Sequence, residues 1–111
     1  MPRTIPVQLP NGRYWPKKSD AATHFREMLG RYSVGERVQN STDHSDLSSL
    51  LTVYDKTVAP GEPTKSGNGI AYFEKGLDRD HPGHTQCFFV FRMDGTSVDF
   101  SLSRALDAVT Q

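Results

Sequence analysis

The sequence predicts an α+β fold, a single small domain over residues 1–111, in which an antiparallel sheet of about five strands carries three helices. The sheet is expected as an N-terminal hairpin plus a C-terminal three-stranded meander. Three observations carry this. Gln86 to Leu106 reads as strand, tight turn, strand and helix in one uninterrupted run. Two earlier segments repeat apolar residues at helical spacing, and the resulting order of strand, strand, helix, helix, strand, strand, strand, helix suits helices packed on one face of an antiparallel sheet.

Taken in order, Ile5, Val7 and Leu9 alternate on one face, with Pro6 confining the strand to an edge or an end. Pro10-Asn11-Gly12 then turns the chain, and Arg13 to Trp15 returns as a short strand. Ser19 is placed to cap a first helix from about Asp20 to Tyr32, along which Ala22, Phe25, Met28, Leu29 and Tyr32 form the apolar stripe. Gly35 ends that segment, and Val38 to Asp43 reads as a polar connector. Asp43 or Ser41 can cap a second helix carrying Leu47, Leu50, Leu51 and Tyr54. Asp55 to Lys65, rich in Pro, Gly, Thr and Lys, is the best candidate for a mobile loop. Gly69 to Lys75 reads as a strand, Gly76 to His84 as a polar excursion, and Ser101 as the cap of a terminal helix holding Leu102, Ala105, Leu106 and Val109.

The turn in the last run is Asp94-Gly95, a pair that tolerates the positive φ angles of a two-residue hairpin loop. Such a loop sets Met93 against Thr96, Arg92 against Ser97, Phe91 against Val98 and Val90 against Asp99. Alternation then sends Cys87, Phe89, Phe91, Met93, Val98 and Phe100 into the core and leaves Phe88, Val90, Arg92, Ser97 and Asp99 on the other face. A cross-strand Arg92 and Asp99 ion pair is the expected use of that second face.

Composition narrows the function. Thirteen basic and thirteen acidic side chains give a formal charge of zero, so any polyanion must be held by a local patch rather than by the field of the whole chain. One cysteine excludes an internal disulfide framework and fits a reducing cytosol. The longest apolar run, Cys87 to Phe91, is far short of the ~20 residues a membrane span needs. The N-terminus has neither signal-peptide nor transit-peptide character, so a cytoplasmic location with no membrane partner is expected.

No catalytic constellation declares itself. His81, His84 and Cys87 offer three zinc donors, with Asp80 a fourth, but no second knuckle accompanies them and the expected register buries Cys87. Asp43-His44-Ser45-Asp46 contains the residue types of a hydrolase triad, yet it sits at a helix start where caps explain it more simply. No metal, cofactor or catalytic residue is therefore assigned, which leans the reading away from an enzyme.

Binding has better candidates. Lys65-Ser66-Gly67-Asn68-Gly69 reads most simply as a bulged strand entry, and the same residues can turn successive amides inward as an anion nest, with Lys65 adding charge. Lys17 and Lys18, close to Arg13 and Trp15, form a second basic cluster, although Trp15 can equally be a plug between the hairpin and the first helix. Tyr72, Phe88 and Arg92, if on one open sheet face, would make a stacking platform for single-stranded RNA.

These residues together resemble the Defective Chloroplasts and Leaves family. The likeness lies in Trp15-Pro16-Lys17-Lys18 with Ala21, Phe25, Leu29, Arg31 and Tyr32; in Asp46, Leu47, Leu50 and Leu51; in Lys65, Gly67, Gly69, Ile70 and Phe73; and above all in Cys87-Phe88, Val90, Arg92, Asp94-Gly95 and Asp99-Phe100-Ser101. Tyr54-Asp55 stands where members commonly read His-Pro, and Met93 where they read Thr. The resemblance implies a small domain of unknown function whose plant relatives are linked to plastid ribosomal RNA processing, with a similar domain ending the largest subunit of plant RNA polymerase V. A bacterial or phage-type member is the expectation here. The resulting expectation is a non-enzymatic nucleic-acid-associated module, RNA-directed, touching its partner through Lys17, Lys18, Lys65, Gly67, Asn68, Gly69 and Arg92. The alternative is a protein-protein interaction domain, and a metal-dependent enzyme is third.

Overall fold

A computed structural model, describing residues 5–78 and 85–110, orders the elements as β1 (Val7–Gln8), β2 (Tyr14–Trp15), α1 (Lys18–Arg31), α2 (Ser41–Asp55), β3 (Ile70–Asp78), β4 (Thr85–Arg92), β5 (Ser97–Phe100) and α3 (Leu102–Val109). The fold is α+β, as the sequence predicts, but the strands form two sheets rather than one. Pro6 and Pro10 bracket β1, cannot donate to a ladder, and leave it only two residues long, so β1 and β2 pair with each other and stop. Val7 and Leu9 are buried nonetheless, and the hairpin works as a flap over the helices.

The larger sheet is the meander β3-β4-β5, antiparallel throughout, with β4 central. Its turn departs from expectation by one residue. Arg92 N donates to Thr96 O at 2.8 Å and Gly95 N to Arg92 O at 3.0 Å, which encloses three residues, Met93-Asp94-Gly95, with Gly95 at φ 87°. This is a tight turn followed by a left-handed glycine, a loop that uses the same Asp-Gly pair as the two-residue hairpin. The observed pairs are Phe91 with Ser97, Val90 with Val98, Phe89 with Asp99 and Phe88 with Phe100.

One residue of slip reverses the faces of β4. Phe88 and Val90 are fully buried, whereas Phe89, Phe91 and Cys87 are half-buried on the outer face and Met93 is 68% exposed at the turn. The expectation of Cys87, Phe89, Phe91 and Met93 in the core is thus corrected. The Arg92 and Asp99 pair does not form either, since Asp99 now stands opposite Phe89 and Arg92 turns elsewhere. Val98 and Phe100 keep their inward orientation.

The helices cover the inner face alone. Ala21, Phe25 and Met28 of α1, Leu47, Leu50 and Leu51 of α2, and Ala105 and Leu106 of α3 meet Phe73, Phe88, Val90 and Phe100 in one cluster. Each large side chain there contributes ~1.5–3 kcal/mol through burial. Trp15 is the plug that the sequence allows, partly buried with its ring 5.8 Å from that of Phe25.

Helix ends are tied differently from expectation. The N-cap of α1 is Lys17, with no side-chain cap bond; Ser19 instead receives Thr23 Oγ1 on its carbonyl. Asn40, rather than Asp43 or Ser41, caps α2, its Oδ1 accepting Asp43 N at 3.0 Å. Asp43 is buried and spans the two helices, taking Arg31 Nη2 at 3.1 Å and Tyr32 OH at 2.7 Å. Burial, and then this carboxylate, push the Tyr32 phenol up to about 12. Lys75, inward and buried, donates to Tyr32 O at 2.8 Å, placing a cation on the negative end of α1. Residues 35–38 close the outer edge of β3 through Gly35 N to Lys75 O, Lys75 N to Glu36 O and Val38 N to Phe73 O.

Candidate nucleic-acid interface

The loop from Thr64 to Gly69 does turn amides inward, and the chain fills the resulting nest itself. Asp55, at the end of α2, accepts Lys65 N at 2.9 Å and Ser66 N at 3.2 Å, and the Ser66 hydroxyl also bonds to it. Gly67 N donates to Thr64 Oγ1 and Gly69 N to Ser66 O, so neither amide is offered to a ligand. Asn68 is exposed at the tip. The Asp55 carboxylate is therefore what shapes this loop.

Arg92 clamps the loop from the other side. Its Nε donates to Lys65 O at 3.0 Å, Nη2 to Thr64 O at 3.1 Å and Nη1 to Thr96 Oγ1 at 3.2 Å, so the guanidinium is spent on backbone and turn. Gly67, at φ 56°, permits this approach: a Cβ there would stand 2.7 Å from Arg92 Cδ. Arg92 shares the inner side of β4 with Phe88, whereas Tyr72 lies outward opposite Phe91. The expected platform of Tyr72, Phe88 and Arg92 consequently does not share a face.

The two lysine clusters divide their roles. Lys18 forms an ion pair with Asp107, joining the start of α1 to α3. Lys17 is exposed and lends its carbonyl to Asp20 N and Ala21 N. Lys65 reaches the open edge of β5, Nζ donating to Asp99 O at 3.0 Å. Beside it lies a cavity of about 580 Å³, lined by Arg26 and Leu29 of α1, Tyr54, Lys65, and Ser101 to Arg104 at the start of α3. Arg26, Lys65 and Arg104 supply three positive charges against the one acidic residue of the lining, Asp99, whose side chain the alternation with Val98 and Phe100 directs outward. Neither the Arg26 nor the Arg104 guanidinium has a hydrogen bond or ion pair among the described residues. Ser101 Oγ takes Arg104 N, and the α3 start adds the positive end of a helix dipole.

Arg26 and Arg104 escape sequence reading because each sits on an exposed helix position with ordinary neighbours. Only the packing of α1 against α3 brings them together.

A larger cavity of about 730 Å³, bordered by His24, Glu27, Arg31 and Asp43, carries mixed charge, and its buried carboxylate is already satisfied by Arg31 and Tyr32. Deeper at the same helix pair, Asp46 is completely buried. It accepts His24 Nε2 and Asn11 Nδ2, each at 2.9 Å, with Arg13 Nε 3.5 Å away as an ion pair lacking hydrogen-bond geometry. This cluster fastens the N-terminal hairpin to α1 and α2. Among the described residues no group of three His, Cys, Asp or Glu side chains converges as a metal site; His81 and His84 lie outside them. No helix among them is long and apolar enough to cross a membrane.

Residues 26–106 match the family described as "Protein of unknown function (DUF3223)". The chain is also 32% identical over 72 residues to "Protein DCL, chloroplastic" from Solanum lycopersicum, an alignment covering 65% of this chain and 30% of that protein. It therefore spans less than a third of the length of that relative. Among solved structures, an uncharacterized protein from Rhodospirillum rubrum determined by solution NMR superposes with a TM-score of 0.72 at 29% identity, covering 98% of this chain and 92% of the other.

Proposed function

The chain belongs to the DUF3223 family, a DCL-like small domain of unknown function, and from that premise we propose that it is a non-enzymatic nucleic-acid-associated module directed at RNA. The observation that carries this reading is the cavity lined by Arg26, Lys65 and Arg104. A chain with no net charge concentrates three cations around one concavity and leaves two of the guanidinia without partners among the described residues. Planar guanidinium forks match phosphate oxygens, and the start of α3, which lines the same cavity, adds the positive end of its dipole. The RNA expectation attached to the family resemblance is the reason for preferring RNA to other polyanions. Gly67, Asn68, Gly69 and Arg92 shape the loop that presents Lys65, whereas Lys17, at the start of α1, lies outside the lining of this cavity.

Fluorescence anisotropy with single-stranded and structured RNA over a salt series tests this. Three phosphate contacts on a single strand predict a log-log salt slope of about −2. Replacing both Arg26 and Arg104 by Glu should abolish binding while leaving the unfolding curve nearly unchanged. Absent or salt-insensitive binding would discard the reading.

A further inference from the structure

The outer face of the meander has the opposite character. Among the described residues no helix covers it, and its side chains form two cross-strand rows, Tyr72–Phe91–Ser97 and Glu74–Phe89–Asp99. Tyr72 and Phe91 stack with centroids 4.5 Å apart and planes 11° from parallel. The guanidinium of Arg37 lies 3.7 Å from the centroid of Tyr72, on the opposite side of that ring. Phe89 leans across β3 over Gly76, where a Cβ would stand 2.7 Å from its Cε1. Between these rings runs a groove of about 290 Å³, lined by Val34, Glu74, Leu77, Phe89, Phe91 and Ser97.

Of its polar lining residues, Lys75 turns its ammonium to Tyr32 O and Ser97 offers a hydroxyl, which leaves Glu74 as the one carboxylate. The Glu74 carboxylate has no hydrogen bond or ion pair among the described residues, although Arg37 is its neighbour across a β-bridge; Arg37 has gone to Tyr72 instead. Asp99 flanks Phe89 from the other strand. Two carboxylates beside aromatic rings repel a phosphate chain and attract a cation.

We propose that this groove takes the arginine side chain of a basic peptide segment in a partner protein. A guanidinium can lie flat against Phe91 or Phe89 while donating two parallel N–H bonds to Glu74, a combination a lysine ammonium cannot reproduce. Val34, 52% exposed at the rim, covers the aliphatic arm. The stack of Arg37 on Tyr72 shows that this face already accommodates one guanidinium from within the chain. The proposal is independent of the RNA reading, because Arg26 and Arg104 line a different cavity.

The test is anisotropy of a fluorescent, end-blocked Arg-Gly-Gly repeat peptide with the full chain, alongside versions carrying Lys or citrulline in place of Arg. The expected result is binding of the Arg peptide, binding at least about tenfold weaker for Lys, and none for citrulline. Glu74→Gln should lower Arg-peptide affinity about tenfold or more, with the thermal midpoint and RNA affinity unchanged. Failure of the Arg peptide to bind, equal binding of all three peptides, or indifference to Glu74→Gln would overturn it. So would saturable binding of guanosine monophosphate that Glu74→Gln abolishes while the peptide does not bind, which would assign the groove to a nucleobase.

Discussion

Asp55 accepts the backbone amide of Ser66 at 3.2 Å, so the end of α2 and the entry to β3 are held by one carboxylate. The same group takes Lys65 N, and Lys65 is thereby aimed at the edge of β5. Asp55→Ala removes the acceptor of both amides. It should lower stability by about 1–3 kcal/mol, with hydrogen exchange at Lys65 and Ser66 accelerated beyond that of the β4 amides.

Arg92 separates structure from binding. Its three donors hold Thr64, Lys65 and Thr96, and Arg92→Gln should cost about 2 kcal/mol in chemical denaturation. RNA affinity of the folded variant, compared at a temperature well below its unfolding transition, should stay within about twofold of the parent, because Arg26, Lys65 and Arg104, and not Arg92, line the cavity.

The register of β4 is tested by neighbouring phenylalanines. Phe88 is fully buried between Tyr32 and Phe100, whereas Phe89 faces outward over Gly76. Phe88→Ala should cost about 3–5 kcal/mol and Phe89→Ala less than half of that in urea titrations. The reverse order would restore the two-residue turn.

Two groups give stability opposite pH dependences. The Tyr32 phenol is raised to about 12 in the fold, by burial first and Asp43 second, from an ordinary 10.0. Its contribution is complete below the unfolded value and fades as pH rises through the folded one, so Tyr32→Phe should flatten the alkaline loss of stability above about pH 10. Asp94 is lowered, by the Thr96 hydroxyl first and the Thr96 amide second. Its contribution is present above the ordinary carboxylate range and disappears as pH falls through the lowered value; Asp94→Asn should soften the acid limb.

How much of this was legible in the sequence depended on whether one face or two were apolar. Helix stripes such as Leu47, Leu50 and Leu51 have a polar reverse side and were readable directly. Cys87 to Phe91 is apolar on both faces, so alternation fixed two sets without saying which was inward, and the Asp94-Gly95 pair fits a two-residue and a three-residue loop alike. Parity was lost at Met93. Lys65 was legible through its glycine-rich setting, but the Asp55 that fills the nest is ten residues upstream, and Arg26 and Arg104 meet Lys65 only through tertiary packing.

Amide chemical-shift mapping of the isotopically labelled chain during titration with a short single-stranded RNA addresses the phosphate cavity most directly. The account predicts that the perturbed amides gather at Arg26, Leu29, Lys65 and Ser101 to Arg104, and that added salt reverses them. Perturbation confined to Tyr72, Phe89 and Phe91, or none at all, would contradict it.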